Sequence, residues 1–282
     1  MGQLDGKVAL VTGANTGIGR VTAVTLAQQG ARLILAGRSE ERTRPVVEEI
    51  RAAQGDEAAR FVRLDLSSLK AVDEAADEVL SVDEPLHLLI NNAGLAGAKG
   101  ITEDGFELAF GVNHMGHFRL TQRLLDRVAD SGGGRIVTVA SDAHRRTEGI
   151  DFEAVRRQTA TPTGFPEYCV SKLANVLFSA ELARRCTERD VNTYALHPGV
   201  VATDVWRKVP WPIRPLAKMF MRSEDEGAAT TIYCATSAEL ADHTGRYYVD
   251  CSEKPPSALS REEAPAQELW RRSEAWCDEL LG

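Results

Sequence analysis

The stretch Lys7–Gly19, KVALVTGANTGIG, restricts the fold more than any other part of the chain. A run of aliphatic and β-branched residues, Val8–Val11, halts at Gly13, with Gly17 and Gly19 close behind. Ala23, Val24 and Ala27 then supply an apolar stripe. Strand, tight glycine turn and helix is the order this pattern dictates. Gly13 lets the chain turn sharply. Gly17 and Gly19 let a phosphate and the neighbouring strand approach the helix start, whose free N–H groups attract a pyrophosphate. The spacing, G-x-x-x-G-x-G, is wider than the common G-x-G-x-x-G fingerprint. Its place directly behind a buried strand points to a dinucleotide.

Further strands are expected at Arg32–Ala36, Phe61–Leu64, Leu86–Ile90, Arg135–Ala140, Val191–Leu196 and Gly245–Val249. Helical spacing fills the intervals. Helices are expected over Ser39–Ala53 with Ser39 as cap, over Leu69–Leu80, and through Phe106, Phe110, Phe118, Leu120 and Leu124 with steps at Gly111 and Gly116. Others are expected from Glu167 toward Arg185, over Glu224–Ala235, and from about Ala264 onward. Runs without alternation are what a parallel sheet covered on both faces requires. The fold class is therefore α/β, a Rossmann-type doubly wound sheet of about seven parallel strands. No repeat or linker divides the chain, which reads as one dinucleotide-binding oxidoreductase domain over 1–282. Two stretches break the pattern, 142–166 and 200–222, and are read as substrate loops.

The charge balance, net −8, and the lack of any Lys/Arg cluster exclude a nucleic-acid binder. The five cysteines are scattered without C-x-x-C or Cys/His ligand spacing, which fits free thiols and no metal site. No stretch approaches transmembrane length, and a core strand begins within the first ten residues, so a cytoplasmic location is expected. A homodimer is left open.

Ser141, Tyr168 and Lys172 carry the chemistry. Ser141 follows the fifth strand, at the carboxyl edge of the sheet where ligands bind in this fold class. Tyr168 and Lys172 lie four apart on one helix and face the same way. A phenol with its ordinary pKa near 10 is a poor acid–base group at neutral pH, and a neighbouring ammonium is expected to lower it. Ser141 would hold the substrate oxygen while Tyr168 exchanges its proton.

T-G-A-N-T-G-I-G at Thr12–Gly19, N-N-A-G at Asn91–Gly94, Asn113, Ser141, Y-C-V-S-K at Tyr168–Lys172 and P-G at Pro198–Gly199 together resemble the short-chain dehydrogenase/reductase family, from about Lys7 to Val249. V-N-H-M-G-H-F at Val112–Phe118, S-K-L-A-N-V-L-F at Ser171–Phe178 and H-P-G-V-V at His197–Val201 are most similar to its retinol-dehydrogenase-like branch. The resemblance implies a bound nicotinamide dinucleotide and a catalytic set of Asn113, Ser141, Tyr168 and Lys172. In that set Asn113 holds a water linking Lys172 to solvent, and Lys172 also binds the nicotinamide ribose. It further implies cofactor contacts at Gly13, Asn15, Thr16, Gly17, Ile18, Gly19, Asp65, Leu66, Asn92, Ala93, Gly94, Pro198, Gly199, Val201 and Thr203. Asp65 would receive the adenine amino group. His114, His117 and His197 are read as packing or loop-shaping residues, and Cys169 as a small packed side chain.

The second strand ends Ala36-Gly37-Arg38-Ser39, without the carboxylate that NAD-specific folds present to the ribose 2′-hydroxyl. Arg38 can pair with a 2′-phosphate and Ser39 can donate to it, so NADP(H) is the expected cofactor. Trp206, Val209, Trp211, Ile213, Leu216, Phe220 and Met221 make 200–222 an apolar lid for a lipophilic small-molecule substrate. The expected activity interconverts a lipophilic aldehyde or ketone and its alcohol, retinoid-like substrates among them. The alternatives are a catalytically silent NADP(H)-binding regulatory or scaffold protein, and a nucleotide-sugar epimerase or dehydratase.

Overall fold

In the computed structural model of the chain, which describes residues 2–199 and 223–282, the first strand is buried on both faces. β1 (Val8–Thr12) sends Val8 and Leu10 into one apolar core and Ala9 and Val11 into another. The two-residue period of a strand produces that division. β2 (Arg32–Gly37) repeats it, with Ile34 and Ala36 on one side and Leu33 and Leu35 on the other. The sheet continues with β3 (Ala59–Arg63), β4 (Leu88–Asn91), β5 (Gly134–Val139), β6 (Val191–His197), β7 (Arg246–Val249) and β8 (Ser252–Glu253).

Helices cover both faces. Among the described residues they are α1 (Gly17–Gln28), α2 (Glu40–Gln54), α3 (Leu69–Leu80), the single turn α4 (Leu108–Phe110), α5 (Gly116–Ala129), α6 (Phe165–Arg185), α7 (Glu224–Thr236) and α8 (Glu263–Leu281). On one face Leu26 of α1, Ile50 of α2 and Cys234 of α7 meet the sheet. On the other, Val72 of α3, Leu124 of α5, Leu173 of α6 and Trp270 of α8 share one core.

The strand order is β3-β2-β1-β4-β5-β6-β7-β8. The first seven strands are parallel, as the uninterrupted apolar runs require. β8 is an addition that no run announced: two residues, antiparallel to β7, after a reversal at Asp250 and Cys251, both at φ 54°. β1 has β2 on one side and β4 on the other, so a crevice opens beyond its carboxyl end.

Element boundaries shift by one or two residues at several ends. The third strand starts at Ala59 rather than Phe61, and α6 starts at Phe165 with Pro166 in its first turn, where a missing N–H is harmless. The steps expected at Gly111 and Gly116 take the form of a π-turn, Gly111–Met115, between α4 and α5. The stretch 142–166 contains two short 3-10 turns, Asp142–Arg146 and Ala154–Arg156. Ser39 caps α2 by accepting from Arg42 N at 3.3 Å.

One anchor of α8 is Trp270, whose ring stacks on Phe178 at 5.9 Å and meets Phe118 edge-on at 5.0 Å. The Arg185 guanidinium lies 4.5 Å above it. Replacing Trp270 with Ala is expected to remove about 3–5 kcal/mol of unfolding free energy in a urea titration. Trp270→Phe should lose far less, because it keeps most ring contacts and discards an indole N–H that has no partner among the described residues. Equal losses for the two variants would contradict this account of α8.

Candidate active site

The crevice beyond β1 is a cleft of about 1350 Å³. Its walls include Gly13, Asn15, Thr16, Gly17, Ile18, Gly19, Arg38, Asp65, Leu66, Asn92, Ala93, Gly94, Ser141, Tyr168, Lys172, Pro198 and Gly199, all expected from the sequence. Val201, Thr203 and the apolar lid expected over 200–222 lie outside the described residues. Asn113 and Ser39 are not on the wall. Asn113 is fully buried behind it, and Ser39 serves as the α2 cap.

The floor at one end fits a pyrophosphate. Thr16 precedes α1 without a side-chain capping bond, so the N–H groups of the first turn are open to the cleft. Gly13 stands at φ +69°, where other residues are strained, and a Cβ there would press on Ala93 at 3.0 Å. A Cβ on Gly19 would collide with the Asn92 amide and the Gly13 carbonyl. Arg38 borders the cleft just after β2 and has no carboxylate partner among the described residues. Asp65 Oδ1 is taken by the N–H and hydroxyl of Ser67, at 3.0 and 2.7 Å.

At the other end the Ser141 hydroxyl accepts from Ala143 N at 3.2 Å and lies beside the Tyr168 phenol. Lys172 is buried, and its ammonium donates to the Val139 carbonyl at 2.8 Å while lying 5.7 Å from the centre of the Tyr168 ring. Burial lowers the Lys172 pKa to about 8. Tyr168 departs from expectation. Burial raises its pKa, and the neighbouring Ser141 hydroxyl only partly opposes that. The ammonium faces a main-chain carbonyl instead of the phenolic oxygen, which accounts for the difference. The Cys169 thiol is buried and pushed up, in keeping with a packed side chain.

Asn113 sits in the π-turn with every polar group engaged. Its Oδ1 accepts from Leu95 N at 2.9 Å, and its Nδ2 donates to Leu95 O at 3.0 Å and Ser171 Oγ at 2.9 Å. Its main-chain carbonyl accepts from His117 Nδ1 at 3.1 Å. Thr12, Ser171, Asn175 and His117 belong to this assembly and were not among the expected site residues. For two of them a signal existed: Ser171 and Asn175 continue the Tyr168, Lys172 face at helical spacing. Thr12 opens the quoted T-G-A-N-T-G-I-G motif, but as a residue it reads as the last core position of a strand.

Comparison with known proteins identifies the family. The family model for short chain dehydrogenases matches residues 7–211. The chain is 42% identical over 284 aligned positions to Homo sapiens retinol dehydrogenase 11, covering 99% of this chain and 87% of the relative. It is 39% identical to Homo sapiens retinol dehydrogenase 13, covering 96% of this chain and 84% of the relative. Among solved structures, an uncharacterized protein from Mycobacterium Paratuberculosis superposes with a TM-score of 0.78 at 30% identity, covering 98% of this chain and 94% of that one. Among the described residues no helix is long and apolar enough to cross a membrane.

A buried ammonium without a carboxylate partner is destabilising. Because the Lys172 pKa falls from 10.5 to about 8 on folding, the unfolded chain holds more protons between those values. Stability contributed at this site therefore rises with pH through that window and is lowest below it. Lys172→Met is expected to raise the melting temperature by about 2–8 °C at pH 7. That advantage over the unsubstituted chain should shrink as pH climbs from 8 toward 10.5. A gap independent of pH would show that packing, not the charge, sets it.

Proposed function

The chain belongs to the short-chain dehydrogenase family, and on that premise we propose that it is an NADP(H)-dependent oxidoreductase interconverting a lipophilic aldehyde or ketone and its alcohol. The observation that carries the reading is the convergence of Ser141, Tyr168 and buried Lys172 at the end of a cleft whose other end offers a helix N-terminus. The nicotinamide nucleotide supplies the hydride donor or acceptor when bound. Relatives named for retinol support a bulky, apolar substrate, retinoid-like compounds among the candidates.

In the direction of reduction, Ser141 Oγ holds the substrate oxygen and the Tyr168 hydroxyl delivers a proton to it. A phenol raised by burial holds that proton at neutral pH, which suits an acid. Lys172 stabilises the phenolate left behind and is the group from which the proton is replaced. A Cβ at Gly94 would lie 3.3 Å from Asn113 Oδ1 and 3.6 Å from Lys172 Nζ, so both atoms converge on the bare face of this exposed glycine. We assign the relay water of the family resemblance to that gap. Arg38 pairs with the 2′-phosphate of the adenosine ribose, the basis for the NADP(H) preference.

NADPH consumption with a panel of aldehydes and ketones tests the reading. Medium-chain and ring-containing aldehydes should exceed acetaldehyde in kcat/KM by roughly fourfold for each additional buried methylene, about 0.8 kcal/mol. Tyr168→Phe should abolish turnover while NADPH still binds. Arg38→Ala should weaken NADPH about tenfold or more and leave NADH unchanged. Saturating cofactor binding without turnover of any carbonyl would favour the silent scaffold instead.

Gly94→Ala addresses the relay separately. It should lower kcat several-fold, and added small amines such as imidazole should restore part of the loss. An unchanged kcat would remove the gap from the proton path.

A further inference from the structure

His117 reads from sequence as a packed histidine, yet every hydrogen bond it makes reaches the site. Its Nδ1 faces the Asn113 carbonyl at 3.1 Å, and its Nε2 faces the Thr12 hydroxyl at 2.9 Å. A carbonyl can only accept, so Nδ1 carries the proton. Burial pushes the ring pKa to about 4, which keeps it neutral and leaves Nε2 an acceptor. The Thr12 hydroxyl must therefore donate to Nε2. This suits its other contacts, since Thr12 Oγ1 receives the N–H groups of Asn92 and Ala93 at 3.0 and 2.9 Å. The Ile90 carbonyl, at 3.3 Å, is its weaker alternative. The Asn92 amide returns to the Thr12 carbonyl at 2.8 Å. With the Asn175 amide oriented to satisfy its neighbours, its Nδ2 also donates to Asn113 O at 2.8 Å.

We infer that His117 is a positioning residue, locked in its Nδ1–H tautomer, that ties the Asn113 carbonyl to Thr12 and so joins the proton-relay end of the site to the turn that receives the cofactor. Its effect on turnover rests on the oxidoreductase reading; its effect on nucleotide affinity does not. His114 supplies an internal contrast. It is equally buried, but its Nε2 bonds Ser273 Oγ at 2.9 Å on α8, and its Nδ1 has no partner among the described residues.

The two ring nitrogens can be replaced one at a time. Asparagine sets an amide N–H where Nδ1 stood but stops short of Thr12. Glutamine reaches the Nε2 position and leaves the Asn113 carbonyl without that donor. His117→Asn is expected to weaken NADPH binding, followed by fluorescence, about tenfold while kcat stays within about threefold. His117→Gln should hold NADPH affinity within about twofold and lower kcat about tenfold. His114→Asn should change only the melting temperature. Nitrogen-15 NMR of labelled histidine in the full chain reads the tautomer without any substrate, and the protonated nitrogen of His117 should be Nδ1 at pH 7. An Nε2–H or doubly protonated ring overturns the inference. So does a pair of variants that shift affinity and kcat alike, or that alter only stability. Absence of turnover in the unsubstituted chain would defeat the oxidoreductase reading instead, while the NMR and affinity measurements still decide on His117.

Discussion

β1 is flanked by β2 on one side and β4 on the other, and the site follows from that placement. The connections leaving β1 and β4 diverge, so main-chain groups beyond both strands lose their ladder partners just where the crevice opens. Thr12, the last residue of β1, makes good the loss. Its hydroxyl receives the N–H groups of Asn92 and Ala93, and its carbonyl receives the Asn92 amide. The turn after β4 is thereby pinned against the glycine turn after β1. That contact is close enough for Gly13 and Ala93 to exclude an additional Cβ between them. A rigid cradle results from one small hydroxyl at the switch point of the sheet.

Buried polarity marks the other end. Lys172 is buried, with a main-chain carbonyl as its acceptor and no acidic side chain paired with it among the described residues. Such a group opposes folding and persists where its proton affinity is useful. Burial drives the phenol and the ammonium in opposite directions, Tyr168 up and Lys172 down to about 8, so their ordinary order is reversed and the lysine becomes the stronger acid. Two apolar cores, one on each face of the sheet, supply the stability against which this arrangement stands.

The sheet was legible because each strand buried on both faces must be written as an unbroken apolar run. Arg32–Ala36 and Arg135–Ala140 are such runs, and both form strands. β8 was invisible for the converse reason. Two exposed residues after a left-handed turn at Asp250 and Cys251 carry no periodicity to read. In the site, glycines and the Tyr168, Lys172 pair announced themselves by spacing. The direction of the Tyr168 shift did not, because spacing on a helix brings side chains to one face without fixing which atom each one meets. Thr12 and His117 were hidden more deeply. Each has a plain structural reading within its own element, and only the packing of α5 against the end of β1 joins them.

The π-turn shows how the apolar pattern and the catalytic position constrain one another. Phe110 and Phe118 both lie in the same core. Eight residues apart in an unbroken α-helix, they would be offset by about 80° around the axis. The wider turn, in which Gly116 N–H reaches the Gly111 carbonyl five residues back, takes up most of that offset and keeps both rings inward. Glycine at each boundary permits close approach, since a Cβ on Gly111 would strike Thr102 and one on Gly116 would strike the Leu66 carbonyl. Asn113 occupies the middle of the widened turn, where its carbonyl accepts a side-chain N–H from His117 in the following turn. A helix that is apolar on one face thus gains a polar node on the side toward Ser171 and Leu95. The departure from α-helical geometry serves packing and site together, which explains why the step falls at Asn113 and not elsewhere along the helix.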